Sequence, residues 1–126
     1  MVAGFMPTIL VVEDEMLIRL HAADCLRESG FGVLEAADGA QALKMLEGGL
    51  PIDLVFTDIA MPGQPDGFGL AKWIRYRRPD LPFILTSGTY EVESAQAEQL
   101  GDAPFIPKPC NYEELAAYIR KLLPRA

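Results

Sequence analysis

The sequence has few of the features that mark specialised classes of protein. Its two cysteines, Cys25 and Cys110, follow no metal-ligand spacing, so we expect free thiols in a reducing cytosol. No apolar run approaches the ~18 residues that a membrane span needs. Residues 1–7 also lack the basic region and apolar core of a signal peptide. These absences predict a cytoplasmic protein that makes no use of a membrane.

Positive charge is scarce as well. The 126 residues include 11 Lys and Arg against 18 Asp and Glu, a formal net charge of −7. Direct binding of nucleic acid depends on Lys and Arg that neutralise phosphates, so this balance argues against it. Half of the residues are hydrophobic, and no linker rich in Pro, Gly or Ser divides the chain. We therefore expect one domain over residues 1–126, with a core at about residues 7–123.

What the sequence does have is a strand-like stretch that ends in a carboxylate. Residues 54–57 favour β structure and are mostly apolar, which indicates a central strand covered by helices on both sides. Asp58 follows at its carboxyl end, where open α/β sheets bind their ligands. A second such strand, residues 9–12, ends in Glu13 and Asp14. One acid alone would be an ordinary turn or helix-capping residue, but two acidic strand ends predict a shared site.

Apolar periodicity, capping residues and glycines divide the chain into five strands that alternate with five helices. This order predicts a doubly wound parallel α/β sheet. Prolines flank the last strand and should confine it to an edge, and the helix at 91–100 has few apolar residues to pack. The predicted strands cover residues 8–12, 31–35, 54–57, 81–86 and 103–107. The predicted helices cover residues 15–29, Asp38 to the glycines at 48 and 49, Asp66 to the residue before Pro79, 91–100 and 111–123.

Two more polar side chains follow later strands at the same edge: Ser87 after the fourth and Lys108 after the fifth. Three carboxylates ~4 Å apart repel by several kcal/mol per pair at an effective dielectric near ~20. Such a cluster must hold a proton or bind a cation, and carboxylate oxygens suit Mg²⁺ or Mn²⁺ better than zinc. A hydroxyl and an ammonium opposite the acids match the oxygens of a phosphoryl group that one carboxylate attacks.

Four separated motifs, each at a predicted strand end, together resemble the receiver domain of two-component response regulators. The resemblance covers essentially the whole chain and implies a (βα)5, flavodoxin-like fold with strand order 2-1-3-4-5. The motifs are Val12-Glu13-Asp14, the heptapeptide Thr-Asp-Ile-Ala-Met-Pro-Gly at 57–63, Thr86-Ser87-Gly88 and Lys108-Pro109.

The resemblance implies roles for the acidic residues. Asp58 would accept a phosphoryl group from a phosphohistidine on a histidine kinase or a histidine phosphotransfer protein. Asp14 would bind Mg²⁺ (or Mn²⁺) directly, and Glu13 would assist through water. Asp58 and the backbone carbonyl of Ala60 would supply the remaining protein ligands of the metal.

The resemblance also implies a switch. Lys108 would pair with Asp58 and then with its phosphate, and the Lys108–Pro109 peptide bond would be cis. Ser87 would bind a phosphoryl oxygen and draw residues 88–90 inward. Phe105, where many members carry a switching tyrosine, would then rotate from solvent toward the core. The face formed by the helix at 91–100, the fifth strand and the last helix would respond and bind a downstream protein, whose identity the sequence leaves open, or a second copy of the chain, weakly.

Besides Phe105, two departures from the common pattern of the family are visible. The loop between Asp58 and Asp66 is one residue longer, with Gln64 and Pro65 where a methionine often stands, which reshapes the rim of the site. Cys110 stands where an aromatic or bulky residue is frequent, so a patch that binds a partner is less hydrophobic here.

The main expectation is a signalling phosphoacceptor without an output domain. It is not an enzyme in the usual sense and has only weak phosphotransfer and autodephosphorylation chemistry. A phosphatase of the haloacid-dehalogenase type also uses a strand-end aspartate, Mg²⁺ and a lysine. That mechanism requires a second acid two residues after the nucleophile, where this chain has Ala60. A third interpretation, a degenerate receiver that only binds partners, conflicts with the presence of every expected site residue.

Overall fold

The computed structural model describes residues 6–88 and 103–123. Within these ranges, five strands form one parallel sheet in the order β2-β1-β3-β4-β5. This topology confirms the predicted doubly wound fold, and β5 lies at an edge as the flanking prolines indicated. The strands are β1 Thr8–Val12, β2 Gly32–Ala36, β3 Leu54–Asp58, β4 Phe83–Ser87 and β5 Phe105–Pro107.

Four helices in the described part of the chain cover the sheet. They are α1 Met16–Glu28, α2 Gly39–Glu47, α3 Gly67–Arg77 and the C-terminal helix Tyr112–Leu122. The predicted helix at 91–100 lies outside the described residues. None of the helices in the described ranges is long and apolar enough to cross a bilayer.

Three of these helices begin with a side-chain cap. The side chains of Asp38, Asp66 and Asn111 accept hydrogen bonds of 2.8, 2.8 and 3.0 Å from backbone N–H groups three residues further on. Each cap satisfies one of the N–H groups that a helix start leaves without an intrahelical partner. The capping residues therefore explain why α2, α3 and the C-terminal helix begin where they do.

Alternate residues of the strands build two separate cores, because successive side chains of a strand point to opposite faces of the sheet. We call them the α2/α3 core and the α1/C-terminal core, after the helices that complete each. The α2/α3 core includes Leu10, Val55, Leu70, Ile74 and Leu85, and the α1/C-terminal core includes Ile9, Leu26, Phe56, Leu115 and Ile119.

A reciprocal pair of hydrogen bonds ties β1 to β3 at the amino end of the sheet. The backbone N–H of Thr8 donates to Asp53 Oδ2 at 2.8 Å, and the N–H of Asp53 donates to the carbonyl oxygen of Thr8, also at 2.8 Å. From there the strands run in register, with Val12 beside Thr57 at the far end. This amino-end clamp, Thr8 with Asp53, thus sits opposite the acidic strand ends.

Candidate functional site

Three carboxylates meet at the carboxyl ends of β1 and β3. One oxygen each from Glu13, Asp14 and Asp58 lies within 4.8 Å of the others. Glu13 is 4% exposed and Asp58 is 7% exposed, whereas Asp14 is exposed to solvent. Since β1 and β3 are parallel neighbours, the residues that follow them emerge side by side. The acids predicted to share a site are therefore brought together.

Lys108 bridges two of these acids from the end of β5. Its Nζ lies 2.7 Å from Asp58 Oδ2 and 2.8 Å from Glu13 Oε1. Burial alone would lower the pKa of Lys108, but the hydrogen bonds and charges of Asp58 and Glu13 outweigh burial and raise it above its usual value. The ammonium is therefore charged at physiological pH. The Lys108–Pro109 peptide bond is cis.

Backbone groups hold the carboxylates in place. The N–H of Ala60 donates to Asp58 Oδ1 at 3.2 Å, so each oxygen of Asp58 has a donor. The N–H of Glu15 donates to Glu13 Oε2 at 3.0 Å. Arg19 Nη1 donates to the carbonyl oxygen of Glu13 at 2.9 Å and anchors the start of α1 beneath the site. Ala60 thus enters the site through its N–H, and the metal-binding role of its carbonyl stays a prediction.

Ser87 lies at the end of β4, next to β3. Asp58 is paired with Thr86 in the sheet, so Ser87 follows directly, and it is buried. The backbone N–H of Lys108 donates to the carbonyl oxygen of Ser87 at 2.9 Å. These contacts join the ends of β4 and β5 beside the acids, where the sequence predicted Ser87 and Lys108 to lie. Residues 89 and 90, which Ser87 was expected to draw inward, lie outside the described residues.

Phe105 differs from its expected starting position. It is half-buried and packs against the α2/α3 core, rather than pointing into solvent. In the sheet it pairs with Leu85, so its ring gains apolar contact as soon as β5 forms. An inward rotation would therefore bury only the part of the ring that is still exposed.

The donor set fits a divalent cation of the Mg²⁺ class. All of its side-chain donors are carboxylate oxygens, the ligands that Mg²⁺ and Mn²⁺ favour. One ammonium, from Lys108, faces three carboxylates, so the cluster keeps a net negative charge. The exposure of Asp14 leaves room for the waters that a magnesium ion normally retains.

Three features that shape the site and its rim had been assigned no such role from the sequence. Gly67 starts α3 so close to β3 that a β-carbon on it would lie 1.7 Å from the carbonyl oxygen of Asp58. A second cis peptide bond, Gln64–Pro65, occurs in the lengthened loop. A β-carbon on Gly39 would lie 1.9 Å from the carbonyl oxygen of Pro65, so this loop packs directly on the start of α2. The Asp66-Gly67 pair was a helix-start signal, and nothing local indicated its close approach to the site.

Comparisons with a family model, with curated proteins and with solved structures agree with one another. Residues 9–120 match the family model of the response regulator receiver domain. The sensor kinase CckA of Brucella abortus is 38% identical over 120 residues, and CpxR of Escherichia coli K12, a transcriptional regulatory protein, is 34% identical over 121 residues. The crystal structure of the response regulator TrrA from Thermotoga maritima, in complex with Mg²⁺–BeF, superposes with a TM-score of 0.83 at 36% identity.

These matches cover most of this chain but different shares of the relatives. They include 92% of this chain for CckA, 96% for CpxR and 94% for TrrA. The matched region is 12% of CckA and 51% of CpxR, but 100% of the TrrA chain. The chain thus spans at most about half the length of these two curated relatives, and their whole-protein activities do not carry over with the match.

Proposed function

The chain belongs to the response regulator receiver domain family, and on that premise we propose that Asp58 accepts a phosphoryl group from a phosphohistidine. The observation that carries this proposal is the convergence of Lys108, Glu13 and Asp14 on the Asp58 carboxylate. Receiver domains interact with histidine kinases, so we propose a histidine kinase or a histidine phosphotransfer protein as the donor. The domain at residues 7–123 would contain all of the groups involved.

In the proposed transfer, an Asp58 oxygen forms a bond to phosphorus while the bond from phosphorus to the histidine nitrogen breaks. The imidazole leaves and keeps the electron pair of that bond, which then takes up a proton. Lys108 would pair first with the carboxylate and afterwards with a phosphoryl oxygen. The Ser87 hydroxyl would donate to another phosphoryl oxygen from the neighbouring strand. Hydrolysis of the aspartyl phosphate would be slow and would reset the domain.

Asp14 and Asp58 would hold Mg²⁺ or Mn²⁺ with the backbone carbonyl of Ala60, and Glu13 would assist through water. When bound, the ion offsets the negative charge of the phosphoryl oxygens. The residues around it have separate tasks that the geometry supports. Glu13 is buried and held by Lys108 and by a backbone N–H, so it orients the ammonium. Asp14 is exposed and is therefore available for direct ligation.

Phosphorylation would switch a surface through Ser87 and Phe105. The new phosphate would draw Ser87 toward Asp58, and Phe105 would bury the remainder of its ring behind it. The responding face would consist of the segment at 91–100, β5 and the C-terminal helix, and it would bind a downstream partner or, weakly, a second copy. The hydrogen bond from Lys108 N to Ser87 O supports this route, since it joins β4 to β5.

The acceptor assignment is tested with acetyl phosphate and Mg²⁺, followed by intact-mass analysis. The parent protein should gain one phosphoryl group, and both Asp58→Asn and Asp14→Ala should gain none. Asp80→Asn, an exposed aspartate between α3 and β4, is the matched control and should behave as the parent does. Normal phosphorylation of Asp58→Asn would overturn the choice of acceptor, and normal phosphorylation of Asp14→Ala would overturn the metal assignment.

The switch is tested separately by amide NMR with and without beryllofluoride. Ser87→Ala should still bind the phosphate mimic at Asp58 but lose the shift changes around Phe105. Changes around Phe105 equal to those of the parent protein would exclude the route through Ser87.

A further inference from the structure

Residues 13–15 form a short link between the end of β1 and the start of α1, and this link carries two of the three acids of the site. The sheet holds its first residue, because the backbone N–H of Glu13 donates to the carbonyl oxygen of Ala36 in β2 at 3.1 Å. The next peptide unit, which joins Glu13 to Asp14, lies beyond the last paired residue of β1. The orientation of this peptide sets the directions in which both acidic side chains leave the backbone.

The first turn of α1 differs from that of the other described helices. The side chain of Glu15 at its N-terminus makes no capping hydrogen bond, whereas α2, α3 and the C-terminal helix each have a side-chain cap. Arg19, one turn into α1, instead reaches back and donates from Nη1 to the carbonyl oxygen of Glu13 at 2.9 Å. One side chain of the helix therefore holds the peptide that joins the two acids.

Arg19 is itself held in place from β2. Its Nε lies 3.3 Å from Glu35 Oε1, and its side chain is only 16% exposed. The second carboxylate oxygen of Glu35 lies 3.4 Å from Arg27 Nη2. A guanidinium group is planar and its donors point in several fixed directions, so it binds Glu35 and the carbonyl of Glu13 at the same time. We call this chain of contacts, from Glu35 through Arg19 to the Glu13 carbonyl, the Arg19 brace.

The two acids that flank the braced peptide have different surroundings. Glu13 Oε1 accepts a hydrogen bond from Lys108 Nζ at 2.8 Å, whereas Asp14 is exposed to solvent. Because Lys108 holds the Glu13 carboxylate, a change in the tilt of the peptide would fall mainly on Asp14. Its carboxylate would then move away from Asp58, with which it now shares a cluster of oxygens within 4.8 Å.

We propose that Arg19 is a positioning residue for the metal site, which acts by holding the Glu13–Asp14 peptide so that the Asp14 carboxylate stays within reach of Asp58. This inference rests on the proposed role of Asp14 as a metal ligand. It adds a residue of α1, and through it Glu35 of β2, to the groups on which metal binding depends.

The charge of Arg19 alone would have the opposite effect on metal binding. A guanidinium next to the site repels a divalent cation, so its removal would strengthen Mg²⁺ binding if charge alone mattered. Loss of position would weaken binding, since the partners that orient a metal ligand are typically worth about ten- to hundredfold in affinity. The direction of the change in Mg²⁺ affinity therefore separates the positioning role from an electrostatic one.

Arg27 provides the matched control. It also lies on α1 and also contacts Glu35, but it donates to the carbonyl oxygen of Val33 within β2, at 3.2 Å, instead of to the acidic link. Replacing either arginine by Gln removes one cation from α1 and one contact with Glu35. The main difference between the two changes is the hydrogen bond to the carbonyl of Glu13.

The test is a titration of MgCl₂ into the isotope-labelled protein at constant ionic strength, followed by the amide NMR shifts of Asp14 and Ala60. These signals come from the folded protein, so a loss of stability does not mimic a loss of affinity. Arg19→Gln and Arg19→Lys should both bind Mg²⁺ about tenfold more weakly than the parent protein. The Lys variant keeps the charge, but its ammonium cannot make both contacts of the guanidinium. Arg27→Gln should bind within about twofold of the parent.

Glu35→Gln tests the brace without changing Arg19, and it serves if the Arg19 variants do not fold. It weakens the hold on the guanidinium and should lower Mg²⁺ affinity about threefold. In the Arg19→Gln background it should add no further loss, because Glu35 acts through Arg19.

The proposal is overturned if the Arg19 variants bind Mg²⁺ as tightly as the parent or more tightly, or if Arg27→Gln loses as much affinity as Arg19→Gln. Parent-like binding by Glu35→Gln, or a full second loss in the double variant, would also overturn it. If the parent protein bound no Mg²⁺, the metal assignment would fail together with this inference. Asp14→Ala tests that assignment on its own, so the two failures are distinguishable.

Discussion

The two faces of the sheet are built from alternate residues of the same strands, yet they are filled differently. On the α2/α3 side, Ala71 and Ile74 are fully buried, and Gly67 brings α3 against the backbone of β3. On the α1/C-terminal side, Ala22 and Cys110 leave a pocket beside the acidic cluster. Away from this pocket the α1/C-terminal side is also filled, since Leu26 and Ile119 are fully buried. We call it the open face because of the pocket, and the α2/α3 side the packed face.

This difference in packing matches two requirements of the site, namely that Asp58 is held in place and that Lys108 is able to change its partner. The packed face holds the end of β3, and therefore Asp58, at a set position under the start of α3. The open face borders Lys108, which must change its partner if Asp58 is phosphorylated as proposed. We infer that close packing is concentrated around residues, such as Asp58, whose position must be fixed. Substitutions that change the packing on each of the two faces test this interpretation.

The largest effect is expected at the tightest contact of the packed face. In Gly67→Ala, the new β-carbon meets the carbonyl of Asp58, so α3 must move and the free energy of unfolding should fall by about 3 kcal/mol. Urea denaturation measures this loss. Gly69→Ala in the same helix is the control, because its β-carbon meets the side chain of Pro65 at 3.1 Å and alanine favours helix. Equal losses for both variants would contradict a special contact at Gly67.

The next largest effect is expected on the alkylation rate of the Cys110 thiol, on the open face. Burial, together with the charge of Glu114 and the neighbouring Cys25, raises the pKa of Cys110 to about 11. Because the thiolate is the nucleophile, Cys110 should react with iodoacetamide at pH 8 about ten- to hundredfold more slowly than an unshielded thiol. Mass spectrometry of Cys25→Ser measures this rate, and the same variant in urea should react normally.

The raised pKa also has a consequence for stability. The folded state keeps the Cys110 proton more tightly than the unfolded state, whose thiol has its ordinary pKa of 9.0. This pKa difference therefore stabilises the folded protein fully at pH values below the pKa of the unfolded state. The stabilisation is lost as the pH rises toward 11. Cys110→Ala in the Cys25→Ser background should show a smaller loss over this window. Fast alkylation of folded Cys110 would show that the open face admits more water than its lining suggests.

A matched pair of overpacking variants compares the faces directly. Ala71→Leu adds three carbons to the α2/α3 core and should cost about 1–3 kcal/mol. Ala22→Leu adds the same atoms beside the pocket, where there is space, and should leave stability unchanged or improve it slightly. Thermal and urea unfolding of both variants give the difference. Similar losses would mean that the two faces are equally full.

The smallest effect is one that the faces should share. Asp66 caps α3 on the packed side, and Asn111 caps the C-terminal helix on the open side, each through one hydrogen bond. Replacing either by Ala should cost about 1 kcal/mol. Denaturation midpoints of the two variants should therefore shift by similar amounts. A much larger loss for Asp66→Ala would show that its cap depends on the close packing around Gly67.

Much of this arrangement was predictable from local patterns. The apolar runs that end in Asp14, Asp58 and Ser87 identified three strands and the edge of the sheet where a site would form. Predicted caps at Asp38 and Asn111 identified two helix starts, and the Asp66-Gly67 pair marked a third. These signals are local, since they depend on residues a few positions apart in the chain.

Features that depend on packing between distant elements were not predictable in the same way. The approach of Gly67 to β3, the half-buried position of Phe105 and the pocket behind Cys110 each arise where separate elements meet. The Thr86 hydroxyl, for which the described residues provide no hydrogen-bond partner, belongs with them, because Thr86 lies beside residues of α1, β3 and the segment after β5. A single sequence carries no direct signal for such contacts.

The amino-end clamp between Thr8 and Asp53 has a consequence for which changes in chain length the molecule tolerates. Side chains alternate along a strand, so one inserted residue in β1 beyond the clamp would turn the following side chains to the opposite face. Glu13 and Asp14 would then exchange faces, and Lys108 would lose Glu13, one of its two carboxylate partners. The turn between α2 and β3, at residues 48–52, precedes the clamp, and an insertion there leaves the pairing of Thr8 with Asp53 intact. Insertions should therefore be tolerated on one side of this pair of residues and not on the other.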